Sequence, residues 1–369
     1  MNEERRKELE KLLKLMRRYG ASDMHLKVGQ PPIMRIHGRI KLFDADPMTD
    51  EDVEGMIATV MSEDQLAKMR ENLDLDFAIS LEGIGRFRIN AFRQRGSLSL
   101  AVRRVNTEIP SFEELHLAAD TMKAIAEFTQ GMVIVAGVTG SGKSTTLAAM
   151  IQWINMRRRC HVVTIEDPIE YLYEDHKAFV NQREVGLDVP SFNAALKSVV
   201  RQDPDVILIG EMRDPETFDT ALSAAETGHL VFGTLHASNA AQCIGRIVDL
   251  FPPERERAVR QSLQFTLKSI ICQRILPSAD PEVGLVPCQE ILIVNSMVQK
   301  LILEGEDKKI DGVVRSGDLG MQDFNQSLIK LVKQGLVDEE VAVRASSNAD
   351  QLRLNLKGIY LGDDKKIMR

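Results

Sequence analysis

A chain of 369 residues with 44% apolar and 27% charged side chains has the composition of an ordinary globular protein and the length of about two domains. Its net charge of −7 argues against a sequence-independent grip on nucleic acid, so no nucleic-acid partner is expected. No apolar run approaches a membrane span, and MNEERRKELEKLLKLMRR lacks the apolar core of a signal peptide, so the chain is expected in the cytoplasm.

Residues 3 to 18 read as a helix, because Leu9, Leu12, Leu13 and Met16 recur at helical spacing among charged positions. Glu3, Glu4, Glu8 and Glu10 dilute its positive face, which favours packing on a sheet over lying on a membrane. Gly20 stops the helix, and Asp23 to Phe43 alternates in short pieces broken by Gly29, Pro31, Pro32 and Gly38, a pattern of strands and hairpins. A helix capped near Thr49 or Asp50 follows, running through Met56, Ile57, Val60 and Met61, and another lies around Gln65 to Asn72. Three strands come next, over Leu75–Ser80, Gly85–Arg93 and Ser97–Val105. In the second, Phe87, Ile89 and Ala91 alternate with Arg88, Asn90 and Phe92, so one edge of the sheet presents arginines. Residues 1–105 thus form a small mixed α/β domain, and 106–115, with Pro110, reads as a linker.

From 116 to 369 the rhythm changes. Nearly continuous apolar strands begin at Met132, His161, Asp205 and His229, separated by helical segments, which predicts a parallel sheet covered on both faces. One helix follows Ser191; another starts at Asp214 with Pro215 in its first position and closes at Gly228. Beyond about Glu254 the chain reads as mainly helical, with an apolar insertion near Leu285 to Val294. Cys160, Cys243, Cys272 and Cys288 stand singly, a spacing that gives neither a disulfide framework nor a zinc site, so no structural metal is expected.

The chemistry starts at GVTGSGKST. Gly137, Val138, Thr139, Gly140, Ser141, Gly142, Lys143, Ser144 and Thr145 follow an apolar strand and open a helix, the context in which G-x-x-x-x-G-K-[ST] cradles phosphates. The glycines let backbone N–H groups turn inward, Lys143 reaches the terminal phosphates, and the Ser144 hydroxyl ligates Mg2+. The strand at 205–209 ends in Gly210 and Glu211, and strand ends carry the ligand site in such sheets. Glu211 is therefore placed to orient the attacking water, with helix capping as the structural alternative. Gly210 stands where a magnesium-associated aspartate is common. Glu166 and Asp167, in TIEDPIE, offer replacement carboxylates that hold the ion through its water shell, unless they only form a surface turn. His229 and His236 flank the strand LVFGTL and are candidate phosphate sensors or ordinary structural histidines. Arg86, Arg88 and Arg103 form a cluster suited to a neighbouring subunit's nucleotide.

GVTGSGKST, TIEDPIE, DVILIGEMRD and GHLVFGTLH together resemble the Walker A, aspartate-box, Walker B and histidine-box motifs of the secretion-superfamily ATPases, and most of all the type IV pilus retraction ATPases of the PilT and PilU kind. GASDMHL, GRFRINAF, VNQREVG and GMQDFNQSL extend the resemblance over almost the whole chain. The resemblance implies a PAS-like N-terminal α/β domain followed by a RecA-like P-loop NTPase domain with a helical C-terminal part. It also implies a homo-hexamer that binds ATP between subunits, with Lys143, Glu166, Glu211, His229 and His236 at functional positions and Arg88 and Arg103 acting in trans. By the same resemblance the partner is an inner-membrane pilus platform protein, and the site of action is the inner face of the cytoplasmic membrane. The absence of a tetracysteine segment sets the chain apart from most extension and secretion relatives. QKLILEG at 299–305 lacks the arginine of the retraction motor's corresponding element, and SSNADQLRLNLKG at 346–358 resembles the accessory branch. Autonomous retraction, support of a second retraction ATPase and pilus extension or secretion assembly stay open at this level.

Overall fold

The structure is a computed structural model that describes residues 2–36 and 38–359. His37, within the expected hairpin region, and the segment 360–369, at the end of the expected second domain, lie outside the described residues. The chain divides into two compact units, Met1–Glu108 with Glu170–Leu172, and Ile109–Ile169 with Tyr173–Arg369.

The first unit contains α1 (Asn2–Arg18), β1 (Ala21–Lys27), β2 (Ile33–Ile36), β3 (Arg39–Leu42), α2 (Asp50–Ala58), α3 (Glu63–Asn72), β4 (Asp74–Leu81), β5 (Gly85–Gln94) and β6 (Ser97–Arg104). Its strands form an antiparallel sheet in the order β3-β2-β1-β6-β5-β4. The apolar stripe of α1 (Leu9, Leu13, Met16) and that of α2 (Val53, Met56, Ile57) share one core with Phe87, Ile89, Leu100 and Val102 of the sheet. Burying these stripes is what holds the two helices in place, above all the nine-residue α2, which is too short to persist alone. Thr49 caps α2 in a reciprocal capping box with Asp52, and Ser62 does the same for α3 with Gln65. The strip Glu170–Leu172 returns to this unit, where Asn106 N–H donates to Glu170 O and Leu172 N–H donates to Asn106 O.

The second unit begins with α4 (Ala119–Ala126), β7 (Gly131–Ala136), α5 (Lys143–Arg157), β8 (His161–Glu166), β9 (Phe179–Glu184), α6 (Phe192–Val199), β10 (Val206–Ile209), α7 (Pro215–Glu226) and β11 (Leu230–Leu235). It continues with α8 (Ala240–Asp249), α9 (Glu256–Thr266), β12 (Leu267–Pro277), β13 (Leu285–Ile293), α10 (Ser296–Glu304), α11 (Ile310–Arg315), α12 (Phe324–Lys333), α13 (Glu339–Ala345) and α14 (Ala349–Leu356). The sheet runs β13-β12-β7-β11-β10-β8-β9, parallel throughout except for β13 on its edge. Alternate residues of each strand point to opposite faces, so Met132 and Ile134 enter the core shared with α6 to α9, whereas Val133 and Val135 enter the core shared with α4 and α5. This is a RecA-like α/β sandwich.

One expectation needs correcting. The region after Glu254 is not mainly helical up to Leu285, because β12 pairs in parallel with the P-loop strand β7 and β13 pairs antiparallel with β12. LKSIICQRILP is buried on both faces, so it has neither the period of two nor that of 3.6 by which a sequence declares its conformation.

Candidate active site

In a parallel sheet the strands deliver their carboxyl ends to one side, and five of them converge here. The loop after β7 turns at Gly137 (φ 154°), Gly140 (φ 78°) and Gly142 (φ 84°), and α5 starts at Lys143. A Cβ at Gly137 would meet Ser141 Oγ and Gln273 O, and one at Gly142 would lie 2.7 Å from Gln273 Nε2. These two positions need glycine for space as well as for conformation. Lys143 Nζ folds back to donate to the carbonyls of Gly137 and Val138, each at 3.0 Å, which bends the loop into a cup around its own amides. Ser144 is exposed at the first turn of α5. A cleft of about 490 Å³ opens beside the loop, lined by Leu115, Leu117, Gly142, Thr145, Ile275 and Leu285, among others, a size that suits a small ligand.

Gly210 and Glu211 follow β10, two strands over from β7, so the carboxylate and the loop are separated by roughly 10 Å at strand spacing. Glu211 Oε1 accepts from His236 Nε2 at 3.1 Å and also pairs with Arg213. That pairing holds the exposed Arg213 guanidinium more firmly charged than usual. The backbone ties these ends together: Met212 N–H donates to Thr234 O, and the Thr234 hydroxyl donates to Gly210 O. Gly210 N–H donates to Ile165 O, and a Cβ on Gly210 would press on Ile165 O and on Glu166 Cα at 3.2 and 3.3 Å. The absence of an aspartate at 210 thus has a steric reason. Glu166 ends β8 one strand away, its Oε1 accepting from Thr164 Oγ1 at 2.6 Å and Gln182 Nε2 at 3.2 Å, and Asp167 follows it exposed.

The two histidines separate. His236 follows the carboxyl end of β11 and touches Glu211, but His229 precedes the amino end of the same strand, roughly 20 Å away at the rise of an extended chain. There its Nδ1 lies 2.9 Å from Ala224 O and 3.2 Å from Thr227 Oγ1. The two do flank the strand as expected, but a strand of that length carries them to opposite ends of the sheet, so within one chain they do not share a site. In the first unit, Arg88 and Arg103 are direct cross-strand partners, and Arg86 lies two residues along β5 on the same face. Arg88 pairs with Asp76 at 3.7 Å and Arg103 with Asp23 at 2.8 Å. Burial works against the charge on Asp23, but hydrogen bonds from Arg103 and Ser22 outweigh it and hold the carboxyl below its usual range.

Three side chains of the site were not singled out in the sequence. Arg213 lies two residues past Glu211 in DVILIGEMRD. Gln273 and Thr146 form the floor of the loop, with Gln273 Oε1 accepting from Thr146 Oγ1 at 2.8 Å. The available sign was a pair of glutamines, Gln273 and Gln289, each set after a cysteine inside an apolar run.

A strand-loop-helix phosphate cradle, with a glutamate and a histidine converging on it from neighbouring strand ends of a RecA-like sheet, defines a P-loop ATPase. Residues 5–302 match the type II/IV secretion system protein family, and the chain belongs to that family. It is 43% identical over 351 residues to the type IV pilus ATPase PilU of Pseudomonas aeruginosa, covering 95% of this chain and 91% of PilU. It is 41% identical over 336 residues to the type IV pilus retraction ATPase PilT of the same organism, covering 91% and 97%. Among solved structures it resembles the pilus retraction motor PilT with bound ADP, with a TM-score of 0.86 and 45% identity over 93% of this chain and 98% of that one. Nucleotide binding by this chain follows from the family and the cradle together.

Proposed function

We propose that this chain is a homo-hexameric, ATP-hydrolysing motor that powers type IV pilus retraction by acting on a platform protein at the inner face of the cytoplasmic membrane. The observation that carries the reading is the meeting of the phosphate cradle, Glu211 and His236 at one end of one sheet, in a chain more than 40% identical to both PilT and PilU. No helix among the described residues is long and apolar enough to cross a membrane, which fits a protein that works against a membrane partner without itself spanning as a helix. In this reading residues 1–105 are the PAS-like domain, 106–115 the linker and 116–369 the motor domain.

The chain's residues divide the work. The loop amides and Lys143 bind the β- and γ-phosphates and neutralise charge that grows during transfer. Glu211 orients the attacking water in line with the γ-phosphate, and His236, hydrogen-bonded to that carboxylate, reports whether the γ-phosphate is present. The donor set fits magnesium: an exposed Ser144 hydroxyl for direct contact and the half-buried Glu166 carboxylate for contact through water, since this ion keeps most of its hydration. An ion held by these residues would supply positive charge that screens the phosphate oxygens. His229 has no part in this chemistry within one chain. A second reading, an accessory PilU-like subunit supporting another retraction ATPase, is favoured by the alignment with PilU over 95% of the chain.

One replacement tests the reading at two levels. Glu211→Gln should bind nucleotide as the parent does and lose turnover by about 100-fold or more. Cells carrying it as their sole copy should accumulate surface pili. Near-normal hydrolysis would remove Glu211 from its role, bare cells would assign the protein to extension, and a parent protein inert on its own would favour the accessory reading.

A further inference from the structure

The P-loop rests on a buried polar chain that none of the motif residues requires. β12 places Gln273 one residue past Cys272, the register partner of Ala136, so its carboxamide emerges under the loop. Both ends of that carboxamide are engaged. Nε2 donates to Ser141 O at 2.7 Å, and Oε1 accepts from Thr146 Oγ1 at 2.8 Å and from Gln289 Nε2 at 3.3 Å. Gln289 is the direct partner of Gln273 on β13, and its own carbonyl accepts from Gln322 Nε2 at 3.0 Å. Gln322 Oε1 in turn accepts from Lys330 Nζ at 2.8 Å. Gln273, Gln289, Gln322 and Thr146 are each at most 4% exposed.

Polar groups so deeply buried cost desolvation, and leucine or methionine would fill the same volume without it. What they give in return is direction. A peptide group is planar and trans, so its N–H points away from its C=O. Holding Ser141 O down against Gln273 turns the N–H of Gly142 away from Gln273, to the opposite side of the loop. The Thr146 bond fixes the first turn of α5 to the same carboxamide, and the glycine at 142 leaves the space that the amide nitrogen occupies.

We propose that Gln273 is a positioning residue for phosphate binding: it aims the Gly142 N–H at the bound nucleotide and, through Gln289 and Gln322, anchors that peptide to the segment GMQDFNQSL at 320–328. The proposal rests on the reading of the loop as the nucleotide's phosphate site. It gives this C-terminal segment a task in the site, 180 residues or so removed from the loop in sequence, by way of two strands of the sheet.

The test uses the full chain and a fluorescent ADP derivative, with steady-state ATP hydrolysis alongside. Gln273→Met keeps the volume and deletes all three hydrogen bonds of the carboxamide. It should weaken ADP binding about tenfold and raise KM for ATP in parallel, with kcat changing less than about threefold. Gln273→Glu keeps the acceptor for Thr146 but has a donor for Ser141 only when protonated. Its ADP affinity relative to the parent, measured at each pH, should be low at pH 8 and recover towards the parent at pH 5.5. A filler role would leave Gln273→Met melting at or above the parent's temperature, would lower that of Gln273→Glu through its buried charge, and would leave neither signature. ADP affinity within about twofold of the parent in folded Gln273→Met overturns the proposal, as does a Gln273→Glu ratio that does not change with pH. A parent chain that fails to bind the ADP derivative would instead overturn the nucleotide reading on which the proposal stands.

Discussion

Glu290 shows how a single side chain can give the fold a pH dependence of its own. It lies on β13, buried, and its Oε1 accepts from Ala240 N–H at the start of α8, just past His236 in sequence. Burial, helped by Asp311 and Asp323, pushes its carboxyl up to about 7 against the downward pull of the Ala240 bond and Arg274. A carboxyl raised in the fold prefers its proton there more than in the unfolded chain. Its contribution to stability is therefore present below the unfolded value of 4.5 and is lost as pH rises towards about 7. The loss amounts to roughly 3 kcal/mol at most. Glu290→Gln retains the acceptor for Ala240. It should melt higher than the parent at pH 8, match it near pH 5, and flatten the decline between; an unchanged decline in thermal melts would exclude Glu290 as its source. Much of this residue-scale detail was not legible in sequence. Lys143, Glu211 and Glu166 were legible because each sits in a local motif whose spelling follows from its chemistry. Glu290 and Gln273 owe their roles to cross-strand register, which brings Gln273 to a loop residue 132 positions away.

At the scale of elements, legibility followed exposure. α1, α2 and β5 each bury one side only, so their periods are written in the sequence and the structure places them within a few residues of the expected bounds. β12 buries both sides and wrote no period. What sets its starting point is α9, which runs into it without a loop, Thr266 being followed at once by Leu267. α9 is in turn pinned by Arg260, whose guanidinium forms a two-pronged pair with Asp307 at 2.9 and 3.0 Å, donates to Ile302 O at 3.2 Å and pairs with Glu256. Arg260 is 9% exposed, so removing Asp307 strips the two terminal nitrogens of their carboxylate in a dry setting and leaves Glu256 to balance the charge through Nε. Asp307→Ala should lower stability by roughly 3 kcal/mol, read as a shift of the urea midpoint. Asp307→Asn, which keeps one acceptor, should lose less. Equal midpoints for parent and Asp307→Ala would mean that apolar packing alone holds α9 and the start of β12.

At the scale of the whole molecule, the cradle, glutamate and histidine of the proposed site all come from the second unit. The arginines Arg88 and Arg103 belong to the first unit, paired across β5 and β6 with their side chains partly or largely exposed. The hexamer proposed above gives them a nucleotide on a neighbouring subunit, and that sharing can be tested by mixing. Lys143→Ala subunits keep the arginines and lose the cradle; Arg88→Ala, Arg103→Ala subunits keep the cradle and lose the arginines. Asp23, left without Arg103, retains its Ser22 hydrogen bond, so the second variant is expected to fold. Each alone should lose hydrolysis by about 10³-fold or more, the scale on which an arginine supplied across an interface acts. Co-assembled from denatured or co-expressed chains, the two should recover a clear fraction of the parent's turnover, because some interfaces then pair an intact cradle with intact arginines. A mixture as inactive as its components, with ring formation verified by mass, would confine Arg88 and Arg103 to their own subunit and leave the completion of the site to other residues.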